Sequence, residues 1–151
     1  MKFFPNTFST EESNAFIDKT IDLIDRDGYG LFAVEIKDCG QFIGFIGLAV
    51  PNYETHFTPC TEIGWRLHKS FWGNGYATEA AKGVLDFAFN KLNLNEVVSF
   101  TSHLNAPSIN VMKRIGMTHD PKGDFDHPKV EEGHKLRPHT LYRIKSGDFK
   151  K

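Results

Sequence analysis

The stretch SFWGNGYATEAA, residues 70–81, sets two glycines one residue apart between bulky aromatics and runs straight into helix-forming residues. A strand that ends in such a turn and opens a helix aims several unpartnered backbone N–H groups at one point, and the helix dipole adds partial positive charge there. Phosphate is the matching guest. Gly73 and Gly75 lack a Cβ, so an oxyanion can approach the main chain, and Gly75 can take a positive φ without strain. Two phosphate loops of other design fit poorly. The pattern G-x-x-x-x-G-K-[ST] needs a lysine that does not follow Gly75. The fingerprint G-x-G-x-x-G/A meets Thr78 at its third small position, after a strand that follows a hairpin rather than opening a βαβ unit. A tight turn with close helix packing is the plainer alternative.

The elements around this loop follow from periodicity. Ser9 or Thr10, followed by Glu11 and Glu12, can cap a helix whose apolar positions Phe16, Ile17, Ile21 and Ile24 fall at helical spacing, before Asp27-Gly28 stops it. Residues 31–36 and 42–50, rich in Val, Ile and Phe, read as a hairpin, and residues 61–68 add a third antiparallel strand. The glycine loop then leads into a helix over about 76–90, with Ala77, Ala81, Val84 and Ala88 on one face. A strand over 96–101, a helix capped by Asn105 and ending at Gly116, and a strand over 141–144 complete the chain. The order predicts a single domain over 1–151, a mixed α/β (α+β), mostly antiparallel sheet flanked by helices. Alternation in the third strand puts Glu62, Gly64 and Arg66 on one face and Ile63, Trp65 and Leu67 on the other.

Composition narrows the partners. The chain has 151 residues, 40% of them hydrophobic, which suits one ordinary core. A formal net charge of -1 gives no basic excess for a nucleic-acid backbone, so no nucleic acid is expected. Cys39 and Cys60 are too few for a disulfide framework and read as reduced thiols. The start, Met-Lys-Phe-Phe-Pro, has no run suited to a signal peptide, and nowhere is there an apolar stretch long enough to span a bilayer, so no membrane and a cytoplasmic protein are expected. Asp124, Asp126, His127, His134 and His139 invite a metal reading, but their spacing is not a zinc pattern and no metal is expected.

The run EIGWRLHKSFWGNGYATEAAKGVLDFAF followed by LNAPSINVMKRIGM resembles the GNAT superfamily of acetyl-CoA-dependent N-acetyltransferases, most closely the branch with the ribosomal-protein N-terminal (Rim-type) acetyltransferases. That family's loop reads [Q/R]-x-x-G-x-[G/A], and here only Trp72 departs, at the Gln/Arg position. The resemblance implies a GNAT-like fold and acetyl-CoA as co-substrate. It implies that main-chain amides of Gly73, Asn74, Gly75, Tyr76, Ala77 and Thr78 hold the pyrophosphate. It also implies that the main chain of Trp65, Arg66 and Leu67, on a strand that splays from its neighbour, pairs with the pantetheine arm and the acetyl carbonyl.

Acyl transfer to an amine needs a neutral amine, a donor for the developing oxyanion and a proton for the leaving thiolate. Backbone can supply the donor. Glu62, at the start of the third strand, can take a proton from an incoming ammonium, or it is half of a cross-strand ion pair. In the branch it resembles, the Asn of N-x-x-S bonds the pantetheine arm and the Ser hydroxyl protonates the thiolate, which assigns Asn105 and Ser108; a simple helix N-cap is the alternative for Asn105. The Asp and His residues of the C-terminal segment are expected to close one side of the acceptor cleft, Asp126 and His127 fixing its shape. Phe42, Phe45, Phe57 and Trp72 can line a cleft, with core as the default for aromatics in strands.

The family opens with a strand and a helix ahead of the segment that here begins MKFFPNTFS, and both are read as missing. Their loss would leave a sheet edge to be covered by the N-terminal residues, a neighbouring chain or a homodimer partner. The expected activity is direct transfer of acetyl from acetyl-CoA to a primary amine, a protein N-terminus or a small molecule. The alternative is a non-catalytic or weakened acyl-CoA-binding module.

Overall fold

A computed structural model describes residues 9–149. Helix α1 (Thr10–Asp27) begins at a capping box, in which Ser9 Oγ accepts from the Glu12 amide and the Glu12 carboxylate accepts from the Ser9 amide. It ends where Gly28, at φ 78°, returns its N–H to the Ile24 carbonyl. Of its apolar positions Phe16, Leu23 and Ile24 are half-buried, whereas Ile17 and Ile21 are 52% and 51% exposed. The helix covers the margin of the sheet, touching β2 through Phe16, whose ring centre lies 5.5 Å from that of Phe45. So narrow a contact buries one row of side chains and leaves the next in water.

Strands β1 (Leu31–Glu35), β2 (Phe42–Ala49) and β3 (Glu62–Leu67) form the expected antiparallel meander. Helix α2 (Tyr76–Asn90), strand β4 (Glu96–Ser102) and helix α3 (Ala106–Arg114) follow. Two short strands, β5 (Thr118–His119) and β6 (Phe125–Asp126), both pair with the long β7 (Pro138–Lys145). The sheet order is β1-β2-β3-β4-β7-β5, antiparallel throughout except where β3 meets β4. This is the mixed α/β architecture expected, with the parallel junction at its centre.

Each sheet face has its own core. On the α2 and α3 side, Ala81, Leu85, Ala88 and Phe89 recur at helical spacing and pack with Ile46, Leu48, Ile63, Val97, Met112 and Ile144. Full burial of a side chain such as Leu85 contributes about 1.5–3 kcal/mol. On the opposite face Phe57, Val98 and Leu141 gather Phe100, Phe125 and Cys60 around them.

Among the described residues β1 lies at a sheet edge, with Phe32 38% exposed, and Phe42 on β2 is 63% exposed. Phe42 therefore departs from the expectation that strand aromatics are core, because it starts β2 at the hairpin end, beside the register shift at Val34/Glu35. The expectation of a missing first strand concerns chain ahead of Ser9, outside the described residues. Among those residues no helix is long and apolar enough to cross a membrane.

Candidate active site

The site starts from a failure of pairing. β3 and β4 share one register pair, Glu62↔Val98, supported by the Val98 amide on the Thr61 carbonyl and by Ser99 Oγ on the Ile63 carbonyl, both at 2.9 Å. Beyond it β3 runs on to Leu67 and β4 to Ser102, each bonded to its outer neighbour, β2 or β7. The two strands part as a wedge, which leaves Trp65, Arg66 and Leu67 without a register partner on β4. Both continue from its open end into helix N-termini, α2 by way of the glycine loop and α3 by way of Asn105.

These two N-termini are built differently. At α2 the N-cap is Gly75, which has no side chain to bond the first-turn amides. Gly73 and Gly75 stand at φ 82° and 81°, and a Cβ built on either meets nothing within 4 Å. The loop thus presents helix-end amides to open space, a cradle that fits an anionic phosphate. Asn74 stiffens it by donating to the Phe71 and Trp72 carbonyls, and the Trp72 indole N–H donates to the Leu67 carbonyl at 3.0 Å. Trp72, 42% exposed, thereby ties the loop to the end of β3 and occupies a carbonyl of the segment expected to meet the cofactor.

At α3 the N-terminus is closed. Asn105 is buried, its Oδ1 accepts from the Ser108 amide at 3.3 Å, and its Nδ2 donates to Thr101 Oγ1 at 3.0 Å. This is the N-cap anticipated as the alternative. Ser108 is half-buried in the first turn.

The other face of β3 carries side-chain chemistry. The β2–β3 register is continuous, so Glu62, Gly64 and Arg66 share one face as alternation predicts. Arg66 lies over its cross-strand partner Phe45, guanidinium carbon 5.5 Å from the ring centre, and burial lowers its pKa. A Cβ on Gly64 would meet nothing within 4 Å, so there is room between the two ionisable side chains. Glu62 is half-buried, and loss of hydration pushes its carboxyl up to about 8. Its charge helps burial raise the pKa of Tyr53 and push the Cys60 thiol up to about 11.

A scan against protein families matches an acetyltransferase (GNAT) domain over residues 1–118, more than half of the chain. The chain belongs to the GNAT acetyltransferases. An uncharacterized N-acetyltransferase of Bacillus subtilis, YnaD, is 32% identical over 132 residues, 82% of this chain and 73% of the relative. The FsC-acetyl coenzyme A-N(2)-transacetylase of Aspergillus fumigatus is 40% identical over 102 residues, 62% of this chain but only 43% of that protein. A crystal structure of a GNAT-family acetyltransferase from Bacillus anthracis superposes with a TM-score of 0.75 at 25% identity, covering 97% of this chain and 81% of that one. The family transfers acetyl from acetyl-CoA to amines, and this chain is an N-acetyltransferase.

Two features of this acetyltransferase were not read from its sequence. The first is Tyr53, whose hydroxyl lies 3.1 Å from His127 Nε2 and whose ring packs edge-on to that imidazole at 5.0 Å. The second is the pairing of the C-terminal acidic and histidine residues among themselves. His119 bonds Asp124 at 2.9 Å, and Asp124 also accepts from the Leu141 amide at 3.0 Å. His127 does shape the loop as expected, through Tyr53 and the Lys129 amide, while Asp126 meets Arg137 at 4.0 Å. No local pattern marks the Tyr53–His127 contact, because the two residues lie 74 positions apart.

Proposed function

We propose that the acetyltransferase holds acetyl-CoA across the β3–β4 wedge and takes its amine acceptor from the Glu62 face. The observation that carries this reading is the parting of the two strands just past Glu62↔Val98, beside an uncapped α2 N-terminus. Amides of Gly73, Asn74, Gly75, Tyr76, Ala77 and Thr78 bind the pyrophosphate. The main chain of Trp65, Arg66 and Leu67 accompanies the pantetheine arm, with the Leu67 carbonyl shared with the Trp72 indole. Bound acetyl-CoA supplies an activated acyl group as a thioester.

Glu62 acts as the general base. A carboxyl at about 8 is far better matched than an ordinary glutamate to removing a proton from an alkylammonium at neutral pH. Ser108 gives the leaving thiolate its proton, and Asn105 holds the first turn of α3 in place while its amide edge meets the pantetheine arm. The acceptor is a primary amine: a protein N-terminus, as the resemblance to the ribosomal-protein branch implies, or a small molecule. The chain is assigned to the cytoplasm and needs no metal or nucleic acid, and a second copy covering the β1 edge would make a homodimer.

The test is thiol release from acetyl-CoA with three probe amines, an alanine-initiated peptide, spermidine and kanamycin, together with calorimetric titration of acetyl-CoA. Amine-dependent thiol release with micromolar acetyl-CoA binding is expected. Acetyl-CoA binding with no turnover of any primary amine would return the chain to the binding-module reading.

A further inference from the structure

Tyr53 sits in the β2–β3 connection and His127 in the C-terminal segment, and their hydrogen bond joins parts of the chain 74 residues apart. The direction of this bond can be worked out. The Lys129 amide donates to His127 Nδ1 at 3.1 Å, so Nδ1 carries no proton. The ring proton is therefore on Nε2, and His127 donates to the Tyr53 oxygen. Burial first, and then the nearby charges of His139, Lys129 and Arg137, lower the His127 pKa to about 4, which agrees with a neutral ring at physiological pH. His127 is too weak a base to relay protons; its contribution is an N–H of fixed direction.

With one lone pair of its oxygen engaged, the Tyr53 hydroxyl must send its own proton elsewhere. Phe100, two residues beyond the Val98 that pairs with Glu62, lies 6.0 Å from the His127 ring, centre to centre, and 5.7 Å from that of Phe57. Period-two alternation puts Phe100 and Val98 on one face of β4, and parallel pairing puts Glu62 on that same face. The Tyr53–His127 pair therefore borders the space above Glu62 and Gly64. Lys129 closes its outer side, its ammonium 5.4 Å from the Tyr53 ring centre and 2.8 Å from Asn52 Oδ1.

We propose that Tyr53 is a positioning residue of the acceptor site: held by His127, its hydroxyl donates through one water to the Glu62 carboxylate and fixes the base toward the incoming amine. This rests on the assignment of Glu62 as base and adds the pair that orients it. The charged and titratable groups on this side of the sheet are Arg66 on the same strand, Tyr53 and Cys60 from the preceding connection, Glu96 on β4 with Arg143 on β7, and Lys129 behind Tyr53.

The experiment compares Tyr53→Phe, His127→Leu, His127→Gln and Glu62→Gln in thiol-release kinetics with the fastest of the three probe amines, alongside acetyl-CoA titration. Tyr53→Phe and His127→Leu are each expected to lower kcat/KM for the amine about tenfold, with acetyl-CoA affinity unchanged. His127→Gln, whose amide N–H can replace the Nε2 donor, is expected to recover most of the loss. Tyr53→Phe within twofold of wild type, or His127→Gln no better than His127→Leu, would overturn the proposal. Full activity in Glu62→Gln would instead overturn the base assignment and this inference with it, whereas an inactive Glu62→Gln beside a fully active Tyr53→Phe sinks this inference alone. Nitrogen-15 NMR of the wild-type imidazoles needs no acceptor. A proton on Nε2 of His127 is expected, and one on Nδ1 would overturn the proposal.

Discussion

The two sides of β3 solve different problems with different parts of the chain. On the side proposed for the cofactor the groups are main chain: the wedge edges, two glycines at positive φ and a helix end without a side-chain cap. Apart from the β4 edge they lie within one stretch of sequence, and they change little with pH. On the side proposed for the acceptor the groups are side chains, Glu62, Arg66, Tyr53 and His127, drawn from three segments and shifted in pKa mainly by burial. The difference teaches where each property comes from. On the proposed assignment, cofactor binding is a property of backbone shape and proton handling a property of packing, so each side can be damaged without the other.

The largest expected effect is on the acceptor side. Glu62→Gln should lower kcat by about a hundredfold or more, within the range for loss of a general base, while acetyl-CoA affinity stays unchanged. Next comes Gly75→Val, expected to weaken acetyl-CoA binding about a hundredfold in calorimetry, roughly 2.7 kcal/mol. A β-branched residue at φ 81° is also strained, so Gly133→Val, at φ 83° away from the loop, serves as the control. It should lose similar stability and keep its acetyl-CoA affinity; equal loss of affinity in both variants would mean strain, and the cradle assignment would fail.

Smaller effects fall on stability. Glu62 titrates near 4.5 when unfolded and at about 8 when folded, so folding takes up a proton between those values. Stability is therefore lost as pH rises through that window, and Glu62→Gln should be the more stable protein at pH 9, by on the order of 2 kcal/mol after discounting for partial exposure, with no difference at pH 4. Chemical denaturation at both pH values checks this. Asn105→Ala removes the α3 cap and should cost about 1 kcal/mol in the same assay. A loss of acetyl-CoA affinity larger than this would give Asn105 a contact with the cofactor beyond its cap.

Legibility followed the same division. The capping box of α1, the glycine stop at Gly28, the meander and the glycine loop were readable because each depends on neighbours within a few residues. Ile17 and Ile21 misled because periodicity marks a face as apolar without saying how wide its contact is. The strands Thr118–His119 and Phe125–Asp126 are too short to show alternation and exist because β7 supplies an edge for both. In the sequence Trp72 is a departure from a motif, and its role as an indole donor to Leu67 depends on a turn that only the folded loop defines. Glu62 could be placed on a face, yet its raised pKa comes from burial that no local pattern encodes. Tyr53 and His127 carried no signal of their partnership, because their contact depends on how two long connections cross.

The most direct test is the pH dependence of kcat/KM for the acetyltransferase and for Glu62→Gln, measured between pH 6 and 10 with the same amine. A wild-type rise governed by an apparent pKa near 8, absent from the variant, is expected. Superimposable profiles, or a variant that keeps the step near 8, would contradict it and return Glu62 to a purely structural place on β3.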